Sequence, residues 1–136
     1  MSAKLALWPL RKRVYDVLDG GTDHQIHTDA TSTDFPYVAI GPVTVSEAST
    51  DSASGQTYAV QVDVYADLAD GGGMTANKIL TDCLTALDAA SYDLDGFDAL
   101  PLGLGTASVT EEYDREVQRQ LAHGFATFTF SIHSIN

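Results

Sequence analysis

One cysteine, seven basic residues and no long apolar run set the first limits on this 136-residue chain. A lone cysteine excludes an internal disulfide and fits a reducing compartment. Cys83 lies on the apolar side of a helical pattern, so a buried structural thiol is expected rather than a nucleophile. No apolar stretch approaches the roughly 18 residues that a membrane-spanning helix needs. Near the N-terminus Lys4 precedes a short apolar patch, but Pro9 and Arg11-Lys12-Arg13 interrupt it, so no signal peptide is expected. The scarcity of basic residues is uneven. Lys4, Arg11, Lys12 and Arg13 account for four of the seven, and between Gly20 and Asn77 no Lys or Arg stands against eight acids. With nineteen acids the net charge is −12, a surface that repels phosphate and disfavours nucleic-acid binding through backbone contacts. Solubility or a saline habitat explains such acidity plainly. The sharper reading is a surface that tolerates DNA nearby without holding it.

Signatures of chemistry are absent too. His24 and His27 lack further ligands at metal spacing, and in a strand they would point to opposite faces, which leaves them as surface histidines. His123 and His133 fall opposite Phe128 in the last strand, where solvent exposure accounts for them. Asp93, Asp95, Gly96 and Asp98 lack the spacing of a calcium loop. Asp67 and Asp70 precede Gly71-Gly72-Gly73, but the lysine of a phosphate-binding loop is missing. Gly103 and Gly105 lead into a strand rather than a helix, and no Ser occupies a G-x-S-x-G elbow. No cofactor or metal is expected. Asp63, mid-strand, is the best single carboxylate. Alternation turns it away from the valines, toward a partner or solvent.

What is present is a hairpin between Phe35 and Asp67. In TYAVQVDVYAD, Tyr58, Val60, Val62, Val64 and Ala66 share one face, the period of two of a strand with one side against a core. In FPYVAIGPVTV, Val38 and Ile40 share a face while Val43 and Val45 have the opposite parity. Gly41-Pro42 marks the slip, so a bulge is expected there. The tip, Glu47 to Gln56, has no large apolar residue. Residues 2–19 read as a helix, regular from about Trp8 because Pro9 fits only a first turn, and stopped by Gly20-Gly21. A second helix is expected over 75–89 on the stripe Ala76, Ile79, Leu80, Cys83, Leu84 and Leu87. HQIHT suggests a short edge strand, and YDLDGFDAL two short strands about an Asp-Gly turn. LPLGLGTASVTEEYD gives a glycine-interrupted strand. LAHGFATFTFSIHSI gives a long one, with Phe128, Phe130 and Ile132 on one face. The sum is a single α+β domain over residues 1–136. It has a mostly antiparallel β-sheet, two helices packed on one face and a long protruding β-hairpin.

The order of these segments resembles one family. A helix ending in a glycine pair leads to Phe35-Pro36-Tyr37-Val38-Ala39-Ile40-Gly41. A polar tip leads to a strand ending Asp63-Val64-Tyr65, followed by the helix with Ala76, Ile79 and Leu84. A polar turn with Arg119 precedes His123-Gly124-Phe125 and alternating aromatics. Nearly the whole chain in this order resembles the tail completion proteins, or tail terminators, of long-tailed bacteriophages and their relatives in phage-like gene transfer agents. The resemblance implies a non-enzymatic virion structural protein, assembled in the host cytoplasm and placed at the tail–neck junction. It implies a ring, usually of six copies, that ends the tail tube, meets the tail tube protein and a neck adaptor or stopper, and lets DNA through. A ring needs an interface that closes by rotation, and a hairpin reaching onto a neighbour can supply one. Glu47, Asp51, Gln56, Tyr58, Tyr65 and Phe125 are the candidate interface residues. Tyr65 and Phe125 have a simpler alternative, packing beneath the N-terminal lead-in. The competing functions are another neck adaptor in the same particle, or a small ligand-binding or enzymatic α+β domain using Asp63, Asp67 and Asp70.

Overall fold

The computed structural model describes residues 5–29, 34–47, 56–115 and 118–134. Helix α1 spans Leu7–Gly21 and α2 Gly72–Ala89. The strands are β1 Ile26–His27, β2 Tyr37–Glu47, β3 Gln56–Asp67, β4 Phe97–Asp114 and β5 Arg119–Ser134. They form one five-stranded sheet in the order β1-β2-β3-β5-β4, antiparallel except for the β1–β2 pair. Both helices pack on one face, as an α+β arrangement requires.

The hairpin register explains the parity slip. Ile40 pairs with Val62, and the next pair is Val43 with Val60, so β2 holds one extra residue at Gly41-Pro42. That bulge returns Val43 and Val45 to the side of Val38 and Ile40, and all four serve the helix-side core. β5 flanks β3 along its whole length, from Gln56 opposite Ile132 to Asp67 opposite Leu121. The described arms of the hairpin are therefore built into the sheet, and the tip expected to protrude lies outside the described residues.

The core is the expected one. Leu10, Val14 and Leu18 of α1 and Ala76, Cys83 and Leu87 of α2 meet Tyr58, Val60, Phe128 and Phe130 of the sheet, all fully or almost fully buried. Burial pushes the Cys83 thiol up to about 12, in keeping with an inert structural role. Gly124 lets α2 approach β5: a Cβ there would lie 2.9 Å from Leu80 Cδ1 and 3.4 Å from Ala76 Cβ.

Three local expectations change. Helix α1 continues through Gly20 and Gly21, and Thr22 ends it by donating from both its backbone N–H and its hydroxyl to Leu18 O. The Gly run after Asp67 opens α2 three residues earlier than the apolar stripe indicates. Asp67 caps the short 3-10 turn Leu68–Asp70, and Gly71 follows with φ +101°. Finally, only the second arm of the Asp95-Gly96 turn is a strand. Tyr92 and Leu94 instead drop into the core, the Tyr92 hydroxyl donating to Leu87 O, and β4 runs unbroken from Phe97.

Candidate interface surfaces

The six residues expected at an interface divide by environment. Glu47 and Gln56 close the described ladder of the hairpin, while the Glu47 side chain and Asp51 lie outside the described residues. Gln56 is half-buried and its Oε1 accepts from the Tyr58 hydroxyl at 3.1 Å. Tyr58 itself is fully buried on the helix side, where its oxygen accepts the Ala6 N–H at 3.0 Å. Its side chain is thus part of the protomer's own core, a consequence of the same alternation that aligns it with Val60 and Val62. Tyr65 and Phe125 lie on the opposite face and are half-buried. The described part of the N-terminal lead-in is tied to Tyr58 on the helix side, so it does not cover them.

On that helix-free face, register lines aromatic rings across three strands. Tyr37 pairs with Tyr65, and Tyr65 with His123. The Tyr37 and Tyr65 rings stack at 5.2 Å, and Tyr65 lies nearly parallel to His123 at 4.6 Å. His27 packs on Tyr37 edge-on and Phe35 at a tilt, and the Arg119 guanidinium sits 5.9 Å above Phe35. Burial first, then the neighbouring Tyr65, pushes the Tyr37 hydroxyl up to about 12. Burial followed by Asp63 raises Tyr65.

Asp63 and His123 differ from expectation. Asp63 is only 6% exposed, neither solvated nor free for a partner. Its Oδ1 meets His123 Nε2 at 2.8 Å, and Gln61 Nε2 donates to both carboxylate oxygens. The other imidazole nitrogen faces Glu112 Oε1 at 3.7 Å. The hydrogen bond to Asp63 is the main cause that raises the His123 pKa, against a smaller opposing effect of burial. Alternation had placed both residues on the outer face. What one strand's pattern does not reveal is the register that sets Asp63 beside Phe125 and one diagonal step from His123.

The carboxylates of the enzymatic alternative do not converge. Asp67 accepts from Ala69 N–H and pairs with Arg119 at 3.1 Å. It stands four residues along β3 from Asp63, about 13 Å at strand rise. The Asp70 side chain lies outside the described residues. Among the described residues no three His, Cys, Asp or Glu group as metal ligands. His24, expected as a plain surface residue, meets Asp82 at 2.9 Å beside a groove of ≈ 460 Å³ between the end of α1 and α2. No described helix is long and apolar enough to cross a membrane.

Exposed apolar side chains gather on different elements: Leu100, Leu102, Leu104 and Tyr113 on β4, and Leu5 and Trp8 at the start of α1. Among the described residues β4 is a sheet edge, paired only with β5.

No curated protein sequence matches the chain. Among solved structures, its fold is similar to a chain of "Virion of native gene transfer agent (GTA) particle", with TM-score 0.55 and 19% identity. The match covers 97% of this chain and 96% of that one. The family model "Tail completion protein gp17" matches residues 10–133, from the first buried leucine of α1 almost to the end of β5. The chain belongs to the tail completion protein gp17 family, and is a structural protein of the phage tail rather than an enzyme.

Proposed function

We propose that copies of this chain close into a ring, usually of six, at the head-proximal end of a tail tube. There the ring blocks further addition of tube subunits and presents the neck with a docking surface. Family membership supports the place in the tail. The observation that carries the ring is the sheet itself: its two edges differ, with the short β1 and β2 on one side and the long β4 on the other. Unlike edges on opposite sides favour head-to-tail contact, which closes when the rotation between copies divides a full turn. The hairpin end at Glu47 and Gln56, and Tyr65 and Phe125 on the helix-free face, are the surfaces proposed for neighbours, tube and neck.

The charge supports a passage for DNA. At −12 per copy, a ring of six would carry a formal charge of about −72. Carboxylates along a lumen release no counterions on meeting phosphate, so DNA slides past without being held. Glu47→Lys or Asp51→Lys is expected to slow DNA delivery where that residue lines the passage; unchanged infectivity in both variants counts against a lumen at the hairpin tip. The role itself is tested by imaging particles assembled without this chain. Overlong or unjoined tails are expected. Tails of normal length beside heads that lack a joint point instead to a neck adaptor.

A further inference from the structure

Beside the hairpin end and the helix-free face, two exposed apolar patches point to a further contact between copies. On β4, Leu100 is 62% exposed and Leu102 and Leu104 are each 55%. Register shifts between Pro101 and Gly103 and between Leu104 and Ala107 turn this stretch about its axis, so its leucines wrap the edge instead of burying on one face. At the start of α1 Trp8 is 70% exposed, and Leu5, just before the helix, is 50% exposed. Trp8 precedes Arg11 by three residues, so the two share a flank of the helix. Arg11 fixes that flank to the β2 side of the sheet by donating from Nη2 to Ile40 O at 2.9 Å and Thr28 O at 2.7 Å.

The two patches stand at the same level of the sheet. Ala6 N–H is bonded to the Tyr58 hydroxyl. Tyr58 pairs with Val45 on one side and Phe130 on the other, and Phe130 pairs with Pro101, which lies between Leu100 and Leu102. One cross-strand row therefore leads from the Trp8 end of α1 to the leucines. The charges beside the two patches are also opposite: Arg11, Lys12 and Arg13 follow Trp8, Lys12 sharing its charge with Asp16, and Asp98 lies two residues from Leu100, while Glu111, Glu112 and Asp114 stand at the far end of β4.

We propose that Leu100, Leu102 and Leu104 of one copy receive Trp8 and Leu5 of the next, so that this chain self-associates head to tail through opposite edges of its sheet. The proposal rests on the ring reading and adds its contact residues. The occupant of the leucine ridge is a second copy because the same chain carries a matching apolar anchor, of opposite local charge, at the same height on its other side. Tryptophan is among the residues that most often act as hot spots when an interface buries them.

The test is disulfide trapping of the full chain in assembled tails, using the double variant Trp8→Cys/Leu102→Cys with the two single variants as controls; Cys83 is buried and does not compete. Oxidation of the double variant is expected to give a ladder of covalent multimers ending at the ring number, which neither single variant gives. Rings visible in the particles without such a ladder overturn the contact and leave the ring standing. A dimer from Leu102→Cys alone shows a symmetric β4–β4 contact and also overturns it. Tails without any ring of this chain overturn both readings. Because Trp8 and Leu102 are exposed, Trp8→Ser and Leu102→Asp leave the fold intact. Each is expected to weaken incorporation about thirtyfold, the effect of one hot-spot residue, and undiminished incorporation of both contradicts the contact.

Discussion

Replacing His123 by glutamine should destabilise the protomer more in mild acid than in mild alkali. His123 donates from Nε2 to the almost buried Asp63, and its other nitrogen faces Glu112. Both carboxylates favour the imidazolium, and the hydrogen bond to Asp63 is the larger cause of its raised pKa. A group whose pKa is higher folded than unfolded contributes stability fully below its unfolded value, about 6.5 for histidine. That contribution is lost as pH rises through the higher folded value. A hydrogen bond with a charged partner contributes about 1.5–3 kcal/mol, and a neutral one about 0.5–1.5. The imidazole is only a quarter exposed, so screening removes a modest part of the difference. His123→Gln is therefore expected to cost about 2 kcal/mol at pH 6 and about 1 kcal/mol at pH 8.5. In melting temperature the gap is about 3–5 °C for a domain of this size. Urea unfolding at both pH values, at protein concentrations too low for association, measures it. The cycle with Asp63→Asn assigns the pH-dependent part to this pair. An equal loss at the two pH values, or a larger loss at pH 8.5, refutes the reasoning.

Other consequences follow from single contacts. Tyr58→Phe removes the acceptor of the buried Ala6 N–H and should cost about 1–3 kcal/mol in urea unfolding; a neutral effect would mean that the α1 lead-in is not anchored there. Gly124→Ala sets a methyl against Leu80 and Ala76 and should destabilise by about 1–3 kcal/mol, whereas a gain in stability would contradict the close approach of α2 to β5. Cys83, fully buried with its thiol pushed up to about 12, should react with thiol reagents only at the rate of unfolding. Rapid labelling of the native protein would show the helix-side core to be open.

Much of this fold was legible because alternation and helical stripes report burial directly. The valines of β3, Phe128 and Phe130 of β5 and all of the α2 stripe but the partly buried Leu84 bury as their spacing indicates. Even the Gly41-Pro42 bulge showed as a change of parity. The outer face was harder to read. A single strand gives the side on which Asp63 and His123 lie but not how the strands slide past one another, and register is what joins them. Tyr58 is a different case: its alternation already places it with the core valines, and its side chain is buried within the protomer. β4 lay between these cases. Its glycines marked interruptions, yet the exposure of Leu100, Leu102 and Leu104 depends on its edge position, which only the strand order reveals.

The ring at the end of the tail is tested most directly by a density map of the intact particle that this chain helps to build. A closed collar of identical copies is expected between tube and neck, joined through opposite sheet edges around a passage wide enough for duplex DNA. A map that shows this chain as a single copy, or anywhere but at the tail's head-proximal end, contradicts it.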